Sequence, residues 1–224
     1  MWRGIGLLFL LLLIYQLWIF AHVLWWIEFN PSTSSFMDNR LSVMQDADPD
    51  ARLQYRWVPY AKISNNLKRA LIASEDAKFV DHEGFDWDGM QKAYQKDMKK
   101  GRIVAGGSTI SQQLAKNLFL SGSRSPLRKI EEAAITVMLE AVMDKQRIFE
   151  IYLNVIEWGN GVFGAEAASR HYYHIGASQL SAAQAAKLAA MVPNPRYYDT
   201  HRTAGGLQRK TGIIMARMNS SDIP

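Results

Sequence analysis

From Gly4 to Ile27 the chain runs GIGLLFLLLLIYQLWIFAHVLWWI without one formally charged residue, and only Gln16 and His22 are strongly polar. At about 1.5 Å per residue this helix is about 36 Å long, enough to cross a hydrocarbon core of about 30 Å with some tilt. A cleavable signal peptide has a shorter apolar core followed by a small-residue cleavage site, so the span reads as a retained anchor. Trp18, Trp25 and Trp26 lie in its second half, where amphipathic rings favour the membrane interface. Arg3 and the terminal amine place the N-terminus in the cytoplasm by a small charge bias, since Arg40 follows beyond the span.

The anchor also decides how the charge is read. The net charge of +5 and pI near 9.4 call for an anionic partner: nucleic acid, phospholipid headgroups or a phosphorylated substrate. On an anchored chain the last two are expected, and no nucleic acid. With no cysteine there is no disulfide framework, thiolate metal site or cysteine nucleophile. The 224 residues suit one domain, or one domain with a smaller lobe, and residues 28–56, polar and carrying Pro31 and Pro49, read as a linker or loosely packed start of it.

Beyond the anchor the pattern is helical, with no period-2 strand of useful length and no internal repeat. Ser64 or Asn65 caps a helix through Leu67, Leu71 and Ser74 that ends near Glu75, with Gly84 as the turn residue beyond. This places Glu75 where a rigid element can aim it into a cleft; the plain alternative is a helix end with solvated charges. Asp86 or Asp88 caps a helix carrying Trp87, Met90, Tyr94 and Met98, closed by Gly101, with Lys92, Lys96, Lys99 and Lys100 on its other face. That basic face is solvated or rests on headgroups. Thr109 and Gln112 form a T-x-x-Q capping box, so a helix starts after the Gly106-Gly107 pair with amides expected to be free for an anion, although the spacing matches neither a P-loop nor a dinucleotide fingerprint. Ser125 and Pro126 open a long helix whose expected inward stripe is Leu127, Ile130, Ala134, Val137, Met138 and Ala141. Glu132 falls off that stripe, one turn after Arg128: either a surface pair or part of a polar face lining a cleft. Residues 144–154 read as a further helix, WGNGVFG as a glycine-rich turn, and Ser181 with Gln184 as a capping box before an alanine-rich helix stopping at Pro193. A last helix points Leu207, Thr211, Ile214 and Met218 inward.

The blocks EDAKFVDHEG (from Glu75), GGSTISQQLAKN (from Gly106), RKIEE (from Arg128), KQRIFEIYLN and GNGVFGAEAASRHYY occur in that order. Together they resemble the signature of the peptidoglycan glycosyltransferase family, over roughly Trp57 to Tyr198. The chain stops at Pro224 without a transpeptidase domain, which resembles the monofunctional biosynthetic form from a Gram-negative bacterium. The resemblance implies a mainly α fold: a single transmembrane helix at 4–27 after a cytoplasmic stub at 1–3, then a lysozyme-like helical domain at 57–224 with a small membrane-associated lobe. It implies an inner-membrane, single-pass enzyme with its domain in the periplasm, which polymerises lipid II and releases undecaprenyl pyrophosphate, partnered by membrane lipids, the growing glycan chain and cell-wall synthesis or division proteins. By matching position, Glu75 resembles the general base, Asp76 its partner and Glu132 the second glutamate. Lys116, Arg124, Arg128 and Lys129 resemble the cations around the pyrophosphate. Ser108, Thr109, Gln112, Gln113 and Asn117 resemble cleft residues, and Phe79, His82 and Gly84 complete the first block as substrate-binding candidates. No cofactor is required, although some relatives are helped by a divalent cation (Mg or Mn), and no His/Asp cluster here has ligand spacing. Ser111 stands where the family usually has threonine and keeps the hydroxyl. The competing expectations are a membrane-bound muramidase or lytic transglycosylase, with no evident use for the four cations, and a non-catalytic cell-wall scaffold.

Overall fold

The computed structural model describes residues 2–101, 106–123 and 125–224. The anchor is α1 (Trp2–Glu28), a continuous helix. Ser34 then caps α2 (Ser35–Gln45), which forms inside the stretch that shows no periodicity and seats Met37 in the core. After the short strand β1 (Gln54–Tyr55), Ser64 accepts from the Asn66 amide and starts α3 (Asn65–Glu75). Its apolar residues Leu67, Ala70, Leu71 and Ile72 are buried, so the helix is held along its length and its last residue, Glu75, is rigidly placed. Asp86 caps α4 (Trp87–Lys100), closed by Gly101 in the left-handed conformation. This helix meets the rest of the chain mainly through Gly89, Met90 and Ala93, and leaves both the Trp87, Tyr94 and Met98 side and the lysine side exposed.

The core is built by α5 (Ile110–Phe119), α6 (Pro126–Val142) and α7 (Lys145–Val155), with α5 packed on both neighbours. β2 (Glu157–Gly159) and β3 (Val162–Phe163) form the glycine-rich hairpin, and β1 joins β3 in parallel, pairing Gln54 with Val162. The strands are two or three residues long, too short for a period to register in the sequence. Next come α8 (Ala165–Tyr173), α9 (Ala182–Met191), α10 (Pro195–Thr200) and α11 (Gly205–Arg217). The alanines of α9 let it pack closely on both α3 and α11, and α11 turns Leu207 and Ile214 inward, with Met218 just beyond, as its pattern predicts. Through α9 and α11 the last third of the chain is brought against the Glu75 end of α3.

One helix departs from its apolar pattern, although Met138 still packs on the core. On α6 the buried residues are Glu132, Ile135, Thr136 and Leu139, while Leu127 (79% exposed), Ile130 and Val137 lie on the outside. The expected inward stripe is therefore corrected. Glu132 is compensated by ion pairs and can be buried, and the outer apolar side lies on the helix that packs against the apolar α1.

Candidate active site

Glu75 ends α3 and is covered by three donors. Ser74 Oγ donates to Oε1 at 2.9 Å, Gln113 Nε2 donates to Oε2 at 3.2 Å, and Lys210 Nζ from α11 stands 3.5 Å from Oε1. A carboxylate offers about four lone-pair sites, so these partners fix its plane and leave capacity for one more proton donor. The orientation of Gln113 is itself set from below: the fully buried Tyr152 hydroxyl donates to Gln113 Oε1 at 2.9 Å, which obliges the amide nitrogen to face Glu75. Burial, reinforced by the charges of Glu75 and Asp76, pushes the Tyr152 phenol well above its ordinary pKa, so it remains a donor.

Asp76 turns the other way. Its Oδ2 accepts from the Ile110 amide at 2.9 Å, and His82 Nε2 lies 3.0 Å from Oδ1. Gly84 N donates to His82 Nδ1 at 3.1 Å, so the ring carries its proton on Nε2 and donates it to Asp76. Thr109 accepts from Gln112 N and donates to the Gly84 carbonyl at 2.7 Å, and Gln112 Oε1 accepts from Thr109 N at 3.0 Å. The capping box is present as read, but the expectation of free amides is corrected: the chain supplies its own anion, Asp76, to the start of α5. Phe79, Gly84 and Gln112, named above as substrate-binding candidates, are buried. Phe79 is buried with its ring centroid 5.4 Å from that of Phe149, Gly84 is a buried turn with positive φ, and Gln112 is sealed in the cap. With His82, which turns inward onto Asp76, they form the foundation of the cleft.

The second glutamate, Glu132, is 2% exposed and binds both Arg128 and Lys129 through ion pairs. Lys129 Nζ also donates to Ser108 Oγ at 3.1 Å, tying α6 to the segment that leads into α5. Of the two sequence alternatives for Glu132, a solvated surface pair is excluded by this burial. Lys116 on α5 has no carboxylate within ion-pair distance among the described residues. Burial holds its pKa below the ordinary lysine value; Arg128 and Lys129 push the same way, and Glu132 and Glu75 oppose them. It is a cation held at a cost, waiting for an anion. Arg124 lies outside the described residues.

Three adjoining cavities share these walls. The middle one, about 380 Å³, is lined by Glu75, Ser108, Gln113, Lys116, Pro193 and Lys210 among others. A smaller one of about 110 Å³ continues past Glu75 to Asp76, Thr109 and Met90, and a third of about 210 Å³ continues past Gln113 and Lys116 to Asn117, Glu157 and Arg196. Glu75 thus borders two compartments of one groove. Asn117 donates to the Gln113 carbonyl at 2.7 Å and edges the third compartment, where burial raises the Glu157 carboxyl despite the opposing charge of Arg40. Tyr152 and Lys210 carry no local signal in the sequence, since their link to Glu75 is made by the packing of α7 and α11.

Fold and site define a helical enzyme domain with one long apolar N-terminal helix, in which Glu75 stands in a groove shared with Lys116 and Lys210. The profile of the family described as Transglycosylase matches residues 42–219, and the chain belongs to that family. It is similar to proteins described as biosynthetic peptidoglycan transglycosylases. That of Methylobacillus flagellatus is 67% identical over 223 residues, 100% of this chain and 97% of the relative. That of Laribacter hongkongensis is 68% identical over 222 residues, 99% and 97% respectively, and that of Chromobacterium violaceum 68% over 212 residues, 95% and 93%.

Proposed function

We propose that the chain is a biosynthetic peptidoglycan glycosyltransferase that joins lipid II units into β-1,4-linked glycan strands on the outer side of the cytoplasmic membrane. The observation that carries the reading is Glu75, fixed by three donors at the junction of two groove compartments and sharing one of them with a lysine that has no carboxylate partner among the described residues. The acceptor sugar's 4-hydroxyl gives its proton to Glu75 as its oxygen attacks the donor's anomeric carbon. The bond from that carbon to the pyrophosphate oxygen breaks, and the electron pair departs with the lipid pyrophosphate. Lys116, Arg128 and Lys129 meet the charge that builds there. Direct attack on an α-linked donor inverts it, so one proton-accepting carboxylate suffices. Glu132 is then a positioning residue, holding Arg128 and Lys129 at fixed height on α6.

A resident divalent cation does not fit this donor set. Both oxygens of Glu132 are engaged by cations, and Glu75 is ringed by Ser74, Gln113 and Lys210.

The test is Glu75→Gln, which keeps the size and can still receive most of these hydrogen bonds but cannot take a proton. Polymerisation of labelled lipid II should fall by about 10² to 10⁴-fold with the fold intact. Long strands at the wild-type rate would refute the assignment. Release of soluble fragments from finished peptidoglycan by the wild type would instead support a lytic enzyme.

A further inference from the structure

The polar residue in the middle of the anchor has a partner. Gln16 Nε2 donates to Glu131 Oε1 of α6 at 2.7 Å, and on the same face of α1 Ile19 and Val23 are fully covered by protein. Gln16, Ile19, Val23 and Trp26 follow one another at spacings of three and four, a stripe along one side of the helix. Phe119, at the end of α5, lies against both Trp18 and Trp26, with ring centroids 6.4 and 5.1 Å away. The half of α1 from Gln16 onward is therefore packed as part of the domain, while Gly4 to Tyr15 is exposed.

That division has a geometric consequence. The free stretch from Gly4 to Tyr15 is only ~18 Å long at about 1.5 Å per residue, against a hydrocarbon core of about 30 Å. The docked half must supply the remaining ~12 Å, and it brings α6 with it. The exposed Leu127 and Ile130 of that helix are suited to the depth.

Resting on the glycosyltransferase reading, we propose that Gln16 is a positioning residue: its bond to Glu131 pins the anchor to α6 and sets the depth of the groove in the outer leaflet. Glu131 is the neighbour of Glu132, and α6 also carries Arg128 and Lys129, so the pin fixes the height of the cations that receive a lipid-linked pyrophosphate. A polar side chain inside a span costs free energy unless it has such a use.

Two measurements test this. The chain has no cysteine, so Gln16→Cys with Glu131→Cys creates its only thiol pair. In isolated membranes a short bis-methanethiosulfonate should join them within one chain, whereas Leu10→Cys with Glu131→Cys should not react together. This readout needs no activity, so it stands apart from the Glu75 assignment. Second, lipid II polymerisation is followed in vesicles of phosphatidylcholine with progressively longer monounsaturated chains. Wild type should show an optimum thickness; Gln16→Leu should flatten the profile and lower its peak about 3- to 15-fold. Glu131→Gln, which keeps a carbonyl acceptor for Gln16, should retain the wild-type profile. Absence of cross-linking, or an unchanged thickness profile in Gln16→Leu, overturns the proposal.

Discussion

Tyr152→Phe isolates the support beneath Glu75, the proposed base. The ring is fully buried and phenylalanine fills the same space, so the change is one hydroxyl with no cavity of consequence. What goes is the 2.9 Å bond to Gln113 Oε1, leaving that carbonyl without its donor. An unsatisfied, partly buried acceptor costs roughly 1–2 kcal/mol. For a chain of this size, about 2–4 °C per kcal/mol gives a fall in Tm of roughly 2–8 °C. The rate suffers separately. Without Tyr152 the Gln113 amide is free to turn over, and its oxygen then faces the Glu75 carboxylate where a donor stood at 3.2 Å. Losing one of three donors, worth about 1.4 kcal/mol, lowers kcat about tenfold. The assay is the initial rate of labelled lipid II polymerisation in detergent, beside thermal unfolding of the same preparations. In a Gln113→Ala background the hydroxyl has nothing left to hold, so Tyr152→Phe should change the rate no further. A wild-type rate in the single variant, or an undiminished effect in the Gln113→Ala background, would refute the relay from Tyr152 through Gln113 to Glu75.

Lys116 must be protonated to meet the pyrophosphate, and burial lowers its pKa, so kcat/KM should decline with rising pH before an ordinary lysine titrates. Lys116→Arg, always charged, should move that alkaline limb upward, and an unmoved limb would assign it elsewhere. The stability sign is opposite: between the lowered folded pKa and the unfolded one the unfolded chain binds more protons, so wild-type stability rises with pH in that window, and Lys116→Met should remove the rise in alkaline melting curves. Gly84→Ala places a Cβ at φ +87° and 2.8 Å from Thr136 Cγ2, so the midpoint of unfolding should drop by the equivalent of about 2 kcal/mol or more; an unchanged midpoint would mean that the turn relaxes freely. Protease added to intact spheroplasts should digest the domain, and digestion only after lysis would reverse the proposed topology.

What could be read in advance follows from the range of the forces involved. The caps at Ser64, Asp86, Thr109, Ser125, Asp144 and Ser181 all accept from an amide two or three residues on, so a few letters hold both partners. The placement of Glu75 at a helix end was legible for the same reason. Its company was not: Gln113, Tyr152 and Lys210 lie 38, 77 and 135 positions further along the chain, and are brought to it, Tyr152 by way of Gln113, through the packing of α5, α7 and α11.

The reversal of α6 shows a different limit. A helical wheel tells which residues share a side, but which side is inside depends on what surrounds the helix, and that is decided by other elements. Leu127, Ile130 and Val137 would be an inward stripe in water. Beside a membrane-spanning helix the same stripe can face lipid, which frees the opposite side to carry Glu132 inward with Arg128 and Lys129. Burying that carboxylate is tolerable only because both cations accompany it, and the cations are useful only because the carboxylate holds them beside the groove. The apolar pattern that misleads about the core is therefore the condition for the polar cluster: a helix that had to turn Leu127 and Ile130 inward would turn Arg128 and Glu132 out to solvent, and the proposed pyrophosphate leaving group would lose its receiving charges.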